Sequence, residues 1–329
     1  MAKAKKLPSG SWRIRVGAGE SGKSVSFTAD TKKEAEALAA EYLLHKQHQD
    51  RKTIKVCATE YVDSRRNMRS PTTIAGYEQI MRNDLDAIQN IQLDKLTQQQ
   101  LQVWVDNLCK KLSPKSVINA FGFVRSVIIY HTGRFDYNIS LPRNQKQIIE
   151  LPSPDTVIKA VIGTQIELPC MMAIWLGMRM SEIRAVRKSD IVDGVLTISE
   201  AVVTVKGQDI RKPETKTYRA RRIRVPQYIL RLIDQLPPDQ EEITTLSGQA
   251  IYKRFVRLME QAGVQNLTFH QLRHMNASVM AQLNVPEKYA MERGGWSTPT
   301  IMRDVYQHTF SAEAEAVANV MDNYFNSIV

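Results

Sequence analysis

The chain has 329 residues and a formal net charge of +11, with 45 Lys and Arg against 34 Asp and Glu. This length leaves room for two or three domains, and no run of 18 apolar residues predicts a membrane-spanning helix. The three cysteines, Cys57, Cys109 and Cys170, are too scattered for a disulfide framework or a zinc site, so we expect a cytoplasmic protein without a bound metal. Most of the positive charge excess lies before residue 150, which favours a polyanionic partner such as nucleic acid.

Near the N-terminus the stretch "GAGESGKS", Gly17 to Ser24, matches the P-loop pattern G-x-x-x-x-G-K-[ST] of nucleotide-hydrolysing enzymes. A P-loop follows a buried strand and opens a helix. Here, residues 12–16 and 25–28 both alternate apolar with polar side chains, which is typical of two half-exposed strands. The pattern therefore predicts a hairpin with a glycine-rich turn. A P-loop NTPase stays as an alternative that nucleotide binding would test.

Residues 31–48 have the spacing of a helix that begins with a capping box formed by Thr31 and Glu34. Sheet and helix together form a small predicted module at residues 1–50. Arg13 and Arg15 lie on the strand face opposite the apolar residues, and Lys23 lies in the turn. A β-ribbon can enter the major groove, so we expect these three cations to contact DNA.

From residue 56 to about 132 the pattern is helical throughout, with an N-cap serine followed by proline at Ser70-Pro71 and at Ser113-Pro114. These signals predict a bundle of about four helices. The polar stretch "DYNISLPRNQKQ" at 136–147 indicates the next boundary.

The remaining residues begin with a third capped helix at Ser153-Pro154. We expect helix to continue through "MMAIWLGMRMSEIRAV" at 171–186, with Met171, Met172, Met178 and Met180 filling the core. Strands are predicted at 194–205 and 219–226, with a basic loop between them and helices from there to the C-terminus. This part therefore reads as mainly α-helical with a small sheet.

Four separate pieces of this last part carry chemically useful side chains: "GMRMSEI" (177–183), "ETKT" (214–217), "HQLRH" (270–274) and "GGWSTPTIMRDVYQH" (294–308). Arg179 and Arg273 can each donate paired N–H groups to phosphate oxygens. Lys216 could protonate a departing oxygen, and His270 could carry a proton or donate a hydrogen bond. The other two candidates are Trp296, a single N–H donor, and Tyr306, a possible nucleophile. Glu182 fits a role in orienting these cations.

The four pieces resemble the signature of the tyrosine recombinases, the phage integrase family. "GMRMSE" is similar to the family's first arginine box, G-[LM]-R-x-[SGT]-E, and "HQLRH" to its H-x-L-R-H box. Trp296 stands ten residues before Tyr306, where the family has histidine or tryptophan before its nucleophile, and His308 completes Y-x-H. Lys216 matches the hairpin lysine, although Lys206 or Lys212 could take its place.

The resemblance implies a multidomain α+β fold with three domains: 1–50 for arm-type DNA sites, 51–146 as a helical, SAM-like core-binding domain, and 147–329 as the catalytic domain. It implies that Tyr306 attacks a DNA phosphodiester and forms a 3′-phosphotyrosyl link while Lys216 protonates the leaving 5′-oxygen. Arg179, His270, Arg273 and Trp296 would stabilise the transition state. Neither ATP nor a metal would be needed, because the phosphotyrosine conserves the energy of the broken bond.

The implied partner is double-stranded DNA at core and arm sites, bound by a homotetramer in a bacterial cytoplasm, with an excisionase or a host DNA-bending protein as further candidates. Arg221 and Arg222, in the cationic stretch after Lys216, are expected to contact DNA phosphates. A type IB topoisomerase, a chromosome-dimer recombinase and a DNA-binding regulator remain alternatives. The pair His270 and His274 has zinc-ligand spacing, but Gln271 stands where a zinc protease needs Glu.

Overall fold

The computed structural model describes residues 4–17, 24–50, 52–144, 151–213, 220–296, 298 and 321–323. The chain divides into two compact units, Met1–Gln145 and Lys146–Val329. Among the described residues, no helix combines the length and the apolar character needed to cross a bilayer.

The first unit opens with a three-stranded antiparallel sheet followed by a helix. The strands are β1 (Lys5–Lys6), β2 (Trp12–Gly17) and β3 (Ser24–Ala29), in the order β1-β2-β3, and the helix is α1 (Lys32–Asp50). Ile14 and Val16 of β2 are buried against Ala35 and Ala39 of α1. The predicted capping box is confirmed, since the N–H of Glu34 donates to Thr31 Oγ1 and the N–H of Thr31 donates to Glu34 Oε2.

The predicted hairpin is also confirmed, because β2 and β3 pair with Gly17 opposite Ser24. The serine that closes the P-loop pattern therefore begins a strand, whereas a P-loop requires a helix there. Residues 18–23, including Lys23, lie outside the described residues.

Four α-helices follow within residues 52–144, as predicted. They are α2 (Ile54–Arg65), α3 (Pro71–Asn83), α4 (Gln98–Cys109) and α5 (Pro114–Thr132). Ser70 and Ser113 accept hydrogen bonds from backbone N–H groups in the first turns of α3 and α5, so both predicted N-caps are present. The bundle core contains Trp104, whose indole N–H donates to the Asp84 carbonyl oxygen at 2.7 Å.

The second unit is mainly helical, with two small sheets. Its helices are α6 (Pro154–Val161), α7 (Glu167–Leu176), α8 (Met180–Ile183), α9 (Gln227–Asp234), α10 (Gly248–Gln261), α11 (Phe269–Gln282) and α12 (Glu287–Gly294). Its strands are β4 (Ile191–Val192), β5 (Val195–Ile198), β6 (Ala201–Val205), β7 (Gln208–Lys212) and β8 (Arg221–Arg224). One sheet has the order β4-β5-β8, and β6 pairs with β7. Of the four predicted core methionines, Met171, Met172 and Met178 are buried, and Met180 is partly buried against the same core.

Two predicted continuous elements are wrong, because the structure divides each of them. The helix expected through 171–186 ends at Leu176, where Gly177 adopts a left-handed φ of 66°, and resumes only at Met180. An added Cβ at Gly177 would lie 2.6 Å from Asn276 Oδ1 on α11, so only glycine fits. The strand expected through 194–205 breaks at residues 199–200, and its halves join different sheets.

Candidate active site

Arg179 is positioned by the interruption between α7 and α8. Gly177 ends α7, and Arg179 is extended (φ −81°, ψ 151°) immediately before α8. Glu182, one turn later, binds it twice: Glu182 Oε2 accepts the Arg179 backbone N–H at 3.0 Å, and Glu182 Oε1 accepts from Arg179 Nη1 at 2.6 Å. Because the helix is interrupted here, the Arg179 side chain is partly buried and held in place by Glu182.

Arg273 reaches the same place from α11, which packs on α7. Its Nη1 donates to the Gly177 carbonyl oxygen, so the glycine that ends α7 also holds the second arginine. The side chain is 3% exposed, and its Nη2 is buried with no hydrogen-bond partner among the described residues. A buried guanidinium with an unused N–H group is suited to receive an anionic oxygen.

Trp296 follows the glycine pair that ends α12, and its ring packs on Ala277, Met280 and Ala290. Arg273 Cζ lies 4.6 Å from its ring centroid, within cation–π range. Gly294 leaves room for the ring, because a Cβ there would lie 2.2 Å from Trp296 Cζ3. The Gly295 carbonyl oxygen accepts from Arg179 Nη2 at 3.2 Å. Arg179 and Arg273 therefore both contact the short segment at residues 295–296.

The prediction that Arg221 contacts DNA requires a correction. The side chain is buried, and its Nη1 and Nη2 donate to Glu182 Oε1 and Oε2 at 3.2 and 2.7 Å. Its Nε donates to the Arg293 carbonyl oxygen at 3.2 Å. The guanidinium is therefore turned into the protein, because Arg221 shares the inward face of β8 with Ile223, while Arg222 on the other face is exposed.

Electrostatics of the cluster follow from three guanidinium groups around one carboxylate. Burial alone would raise the pKa of Glu182, but hydrogen bonds and charge from Arg221, with the charge of Arg179, lower it to about 2. Burial, followed by the charge of Arg179, lowers the pKa of Arg273 to about 9. The expected orienting role of Glu182 is confirmed by its contacts. The cluster keeps an excess of positive charge that an incoming phosphate would balance.

The other predicted residues stand as follows. His270 is exposed in the first turn of α11, with its ring centroid 5.1 Å from that of His274. Lys216 and Tyr306 lie outside the described residues. Of the competing lysines, Lys206 occupies the β6–β7 turn with φ 51° and Lys212 ends β7. The choice among the three lysines stays a prediction.

Sequence reasoning did not identify Asn276, Gly295 or the carbonyl of Arg293 as parts of the site. Asn276 Nδ2 donates to the Ile174 and Trp175 carbonyl oxygens, which holds the end of α7 on α11. Gly295 has φ 63°, and a Cβ there would lie 2.9 Å from Arg221 Nη1. The adjacent glycines in "GGW" are the feature of the sequence that indicates a close approach of side chains to the backbone here.

The N-terminal sheet of the first unit carries Arg13 and Arg15 on its face away from α1. Arg15 is exposed, and Arg13 Nε donates to Thr28 Oγ1 at 3.3 Å on the neighbouring strand. Lys5 pairs opposite Arg13 in the β1–β2 register, so three cations share this face. The contact of Arg13 and Arg15 with DNA stays a prediction.

Comparison with known proteins gives two family matches. Residues 153–313 match the phage integrase family, and residues 53–109 match the N-terminal SAM-like domain of phage integrases. The integrase of Mycobacterium phage L5 is 28% identical over 188 residues, which are 52% of this chain and 50% of that protein. The chain thus matches about half the length of this relative.

Two solved structures share the fold. The Tn1549 transposon integrase in complex with transposon right end DNA is 17% identical, covers 82% of this chain and 99% of its own, and has a TM-score of 0.65. A lambda integrase tetramer bound to a Holliday junction is 15% identical, covers 91% of this chain and 96% of its own, and has a TM-score of 0.63. The two matched segments, together with the arginine cluster, identify the chain as a member of the phage integrase family of tyrosine recombinases.

Proposed function

We propose that this protein is a site-specific DNA recombinase that integrates and excises a phage or another mobile element. One observation carries the proposal: Arg179, Arg273 and Trp296 come from three distant segments into one cluster, in which Arg273 Nη2 is buried with no hydrogen-bond partner among the described residues. Preplaced cationic donors of this kind are what a phosphoryl transition state requires.

The proposed chemistry begins when the Tyr306 oxygen attacks the phosphorus of a DNA phosphodiester. The bond from phosphorus to the tyrosine oxygen forms, and the bond to the 5′-oxygen breaks. His270 takes up the phenol proton, and Lys216 supplies the proton that the departing 5′-oxygen needs. Arg179 and Arg273 hold the two non-bridging oxygens, and the indole N–H of Trp296 donates to the same phosphate.

The second half reverses this chemistry on a new strand. A partner strand's 5′-hydroxyl attacks the 3′-phosphotyrosine, which restores the phosphodiester and frees Tyr306. Two exchanged strands make a Holliday junction, and four subunits provide the four nucleophiles. We therefore propose a homotetramer on DNA, acting in the bacterial cytoplasm, with direction controlled by an excisionase or a host DNA-bending protein.

Three surfaces would bind the DNA in this proposal. The cationic face of the N-terminal sheet, Lys5, Arg13 and Arg15 together with Lys23, would bind arm sites, residues 51–146 would clamp the core site, and Arg222 on β8 would contact a phosphate. The corresponding division into domains 1–50, 51–146 and 147–329 is part of the proposal.

The test is covalent capture on a nicked suicide substrate that carries the element's attachment site. The wild type should form a denaturation-resistant protein–DNA adduct, and Tyr306→Phe should form none. Tyr289→Phe is a matched control, because Tyr289 is 62% exposed on α12 and should keep full activity. An adduct that persists in Tyr306→Phe would refute the assigned nucleophile. Supercoil relaxation on DNA of any sequence would favour the topoisomerase alternative, and site binding without any adduct would favour a regulator.

A further inference from the structure

The guanidinium of Arg221 is the most completely bound cation of the arginine cluster. It is 7% exposed, and its three nitrogens donate to both oxygens of Glu182 and to the Arg293 carbonyl. Because the side chain is buried and each of its three nitrogens already donates to a protein oxygen, Arg221 is poorly placed to bind a substrate phosphate.

Arg221 and Arg179 both bind Glu182 on α8 and the turn at residues 293–295. Both donate to Glu182 Oε1, at 3.2 and 2.6 Å. Arg179 also donates to the Gly295 carbonyl, and Arg221 donates to the carbonyl two residues earlier. One side chain on β8 thus connects that strand to the start of α8 and to the turn before Trp296. The left-handed glycine at 295 makes this approach possible, since a Cβ would collide with the guanidinium.

The charges explain why a second arginine is needed beside Arg179. If Glu182 faced Arg179 alone, the carboxylate would neutralise the charge of the arginine that the substrate requires. With Arg221 bound at two points, the carboxylate charge is already balanced, and Arg179 keeps a net positive charge for the substrate. The single shared contact then fixes the Arg179 orientation without cancelling its charge.

We propose that Arg221 is a positioning residue for DNA cleavage: it holds Glu182 and the 293–295 turn so that the Arg179 guanidinium meets the scissile phosphate in a fixed orientation and with its charge intact. This inference rests on the proposed recombinase function. Displacement of a catalytic group by about 1 Å can cost about 100-fold in rate. Loss of Arg221 should therefore slow the chemical step and leave the DNA affinity unchanged.

The experiment measures single-turnover adduct formation by the full chain at saturating suicide substrate, with DNA affinity measured separately. Arg221→Met should lower the cleavage rate about 100-fold with DNA affinity within about two-fold of wild type. Arg221→Lys, which keeps the charge without the fork, should recover part of the rate. The matched control is Arg254→Met, which removes an exposed arginine from α10 and should keep both the saturated rate and the DNA affinity of the wild type.

A double variant separates positioning from general damage to the fold. If Arg221 acts through Glu182, Arg221→Met combined with Glu182→Gln should cleave no more slowly than the slower single variant. The acid limb of the pH–rate profile should also move to higher pH in Arg221→Met, because Glu182 loses the partner that keeps it ionised.

Three results would overturn the assignment: a wild-type rate in Arg221→Met, a loss confined to DNA affinity, or multiplicative losses in the double variant. A wild-type protein that forms no Tyr306 adduct would overturn the recombinase function and this role with it. Normal adduct formation by both the wild type and Arg221→Met would overturn the Arg221 role alone.

Discussion

The guanidinium of Arg273 lies on the indole face of Trp296, with 4.6 Å between Cζ and the ring centroid. The same indole is buried among Ala277, Met280 and Ala290, so the ring is both a core residue and a support for a cation. Desolvated cation–π contacts of this kind stabilise by about 2 kcal/mol. The two roles can be separated by substitution.

Trp296→Phe keeps an aromatic face under Arg273 and removes the N–H donor. We expect its unfolding temperature to stay within a few degrees of wild type and its cleavage rate to fall about 100-fold, as when one preplaced donor is lost. Trp296→Ala should in addition lower the free energy of unfolding by about 3–5 kcal/mol. A wild-type cleavage rate in Trp296→Phe would show that the residue acts by packing alone.

Gly177 has a matched control in the first unit. Gly177 and Gly133 both end helices with left-handed φ, 66° and 75°, but a Cβ at Gly133 would meet nothing within 4 Å. Gly133→Ala should cost about 1–2 kcal/mol from backbone strain and leave cleavage intact. Gly177→Ala should cost more and slow cleavage, because its Cβ would displace Asn276 and the carbonyl that holds Arg273. Equal effects of the two changes on stability and cleavage would contradict this account.

Glu182 links stability to pH. The pKa of Glu182 in the folded protein is about 2, below the ordinary value of 4.5. The stabilisation of the folded state by the ionised carboxylate is therefore fully present above about pH 4.5 and is lost as the pH falls toward 2. Glu182→Gln leaves buried arginines without a counter-charge and should lower the free energy of unfolding at pH 7 by about 3–5 kcal/mol. The difference between wild type and variant, measured by urea unfolding, should shrink between pH 4.5 and 2. A difference that stays constant over this range would contradict the ion-pair assignment.

Local signals could be read from the sequence, and long-range pairings could not. The N-caps at Ser70 and Ser113 and the hairpin at 17–24 depend on neighbouring residues, and all three were predicted. The break at Gly177 was missed, because the residues around it are apolar enough for a continuous helix, and Asn276, which enforces the break, lies about a hundred residues away.

For Arg221, two features of the sequence point to different positions of the side chain. Strand alternation puts Arg221 on the face of Ile223, which points inward, but the high density of Lys and Arg in this stretch favours contact with DNA phosphates. Its partner Glu182 is 39 residues away, and no local pattern connects them.

The cationic face of the N-terminal sheet should contribute to arm-site binding through phosphate contacts. Arg13→Ala with Arg15→Ala should weaken arm-site binding and reduce the slope of log affinity against log salt by about 1.8, since each lost phosphate contact removes about 0.9. Lys32→Ala with Lys33→Ala removes the same charge from exposed positions on α1 and serves as the control. An unchanged slope in the arginine variant, or an equal loss in the lysine variant, would refute the assigned face.

Arg273 Nη2, which is buried with no hydrogen-bond partner in the part of the chain that the structure describes, predicts that the free protein is stabilised by a small tetrahedral anion. Burial and the nearby arginines lower the pKa of Arg273, so an anion that accepts from Nη2 should stabilise the charged guanidinium and with it the folded protein. Sulfate at 100 times its dissociation constant should stabilise the wild type by about 2.7 kcal/mol. The measurement is the unfolding temperature in sodium sulfate against sodium chloride of equal ionic strength.

Arg273→Met keeps the bulk of the side chain on Trp296 and removes the charge, so it should lose the part of the sulfate response that exceeds the general stabilisation of folded proteins by this salt. Arg222→Met, in which an exposed cation is lost, should keep the sulfate response of the wild type. An excess sulfate response that survives in Arg273→Met, or that disappears equally in Arg222→Met, would mean that the anion binds elsewhere. Loss of the excess response in Arg273→Met alone would assign the anion to the guanidinium that the recombinase proposal gives to the scissile phosphate.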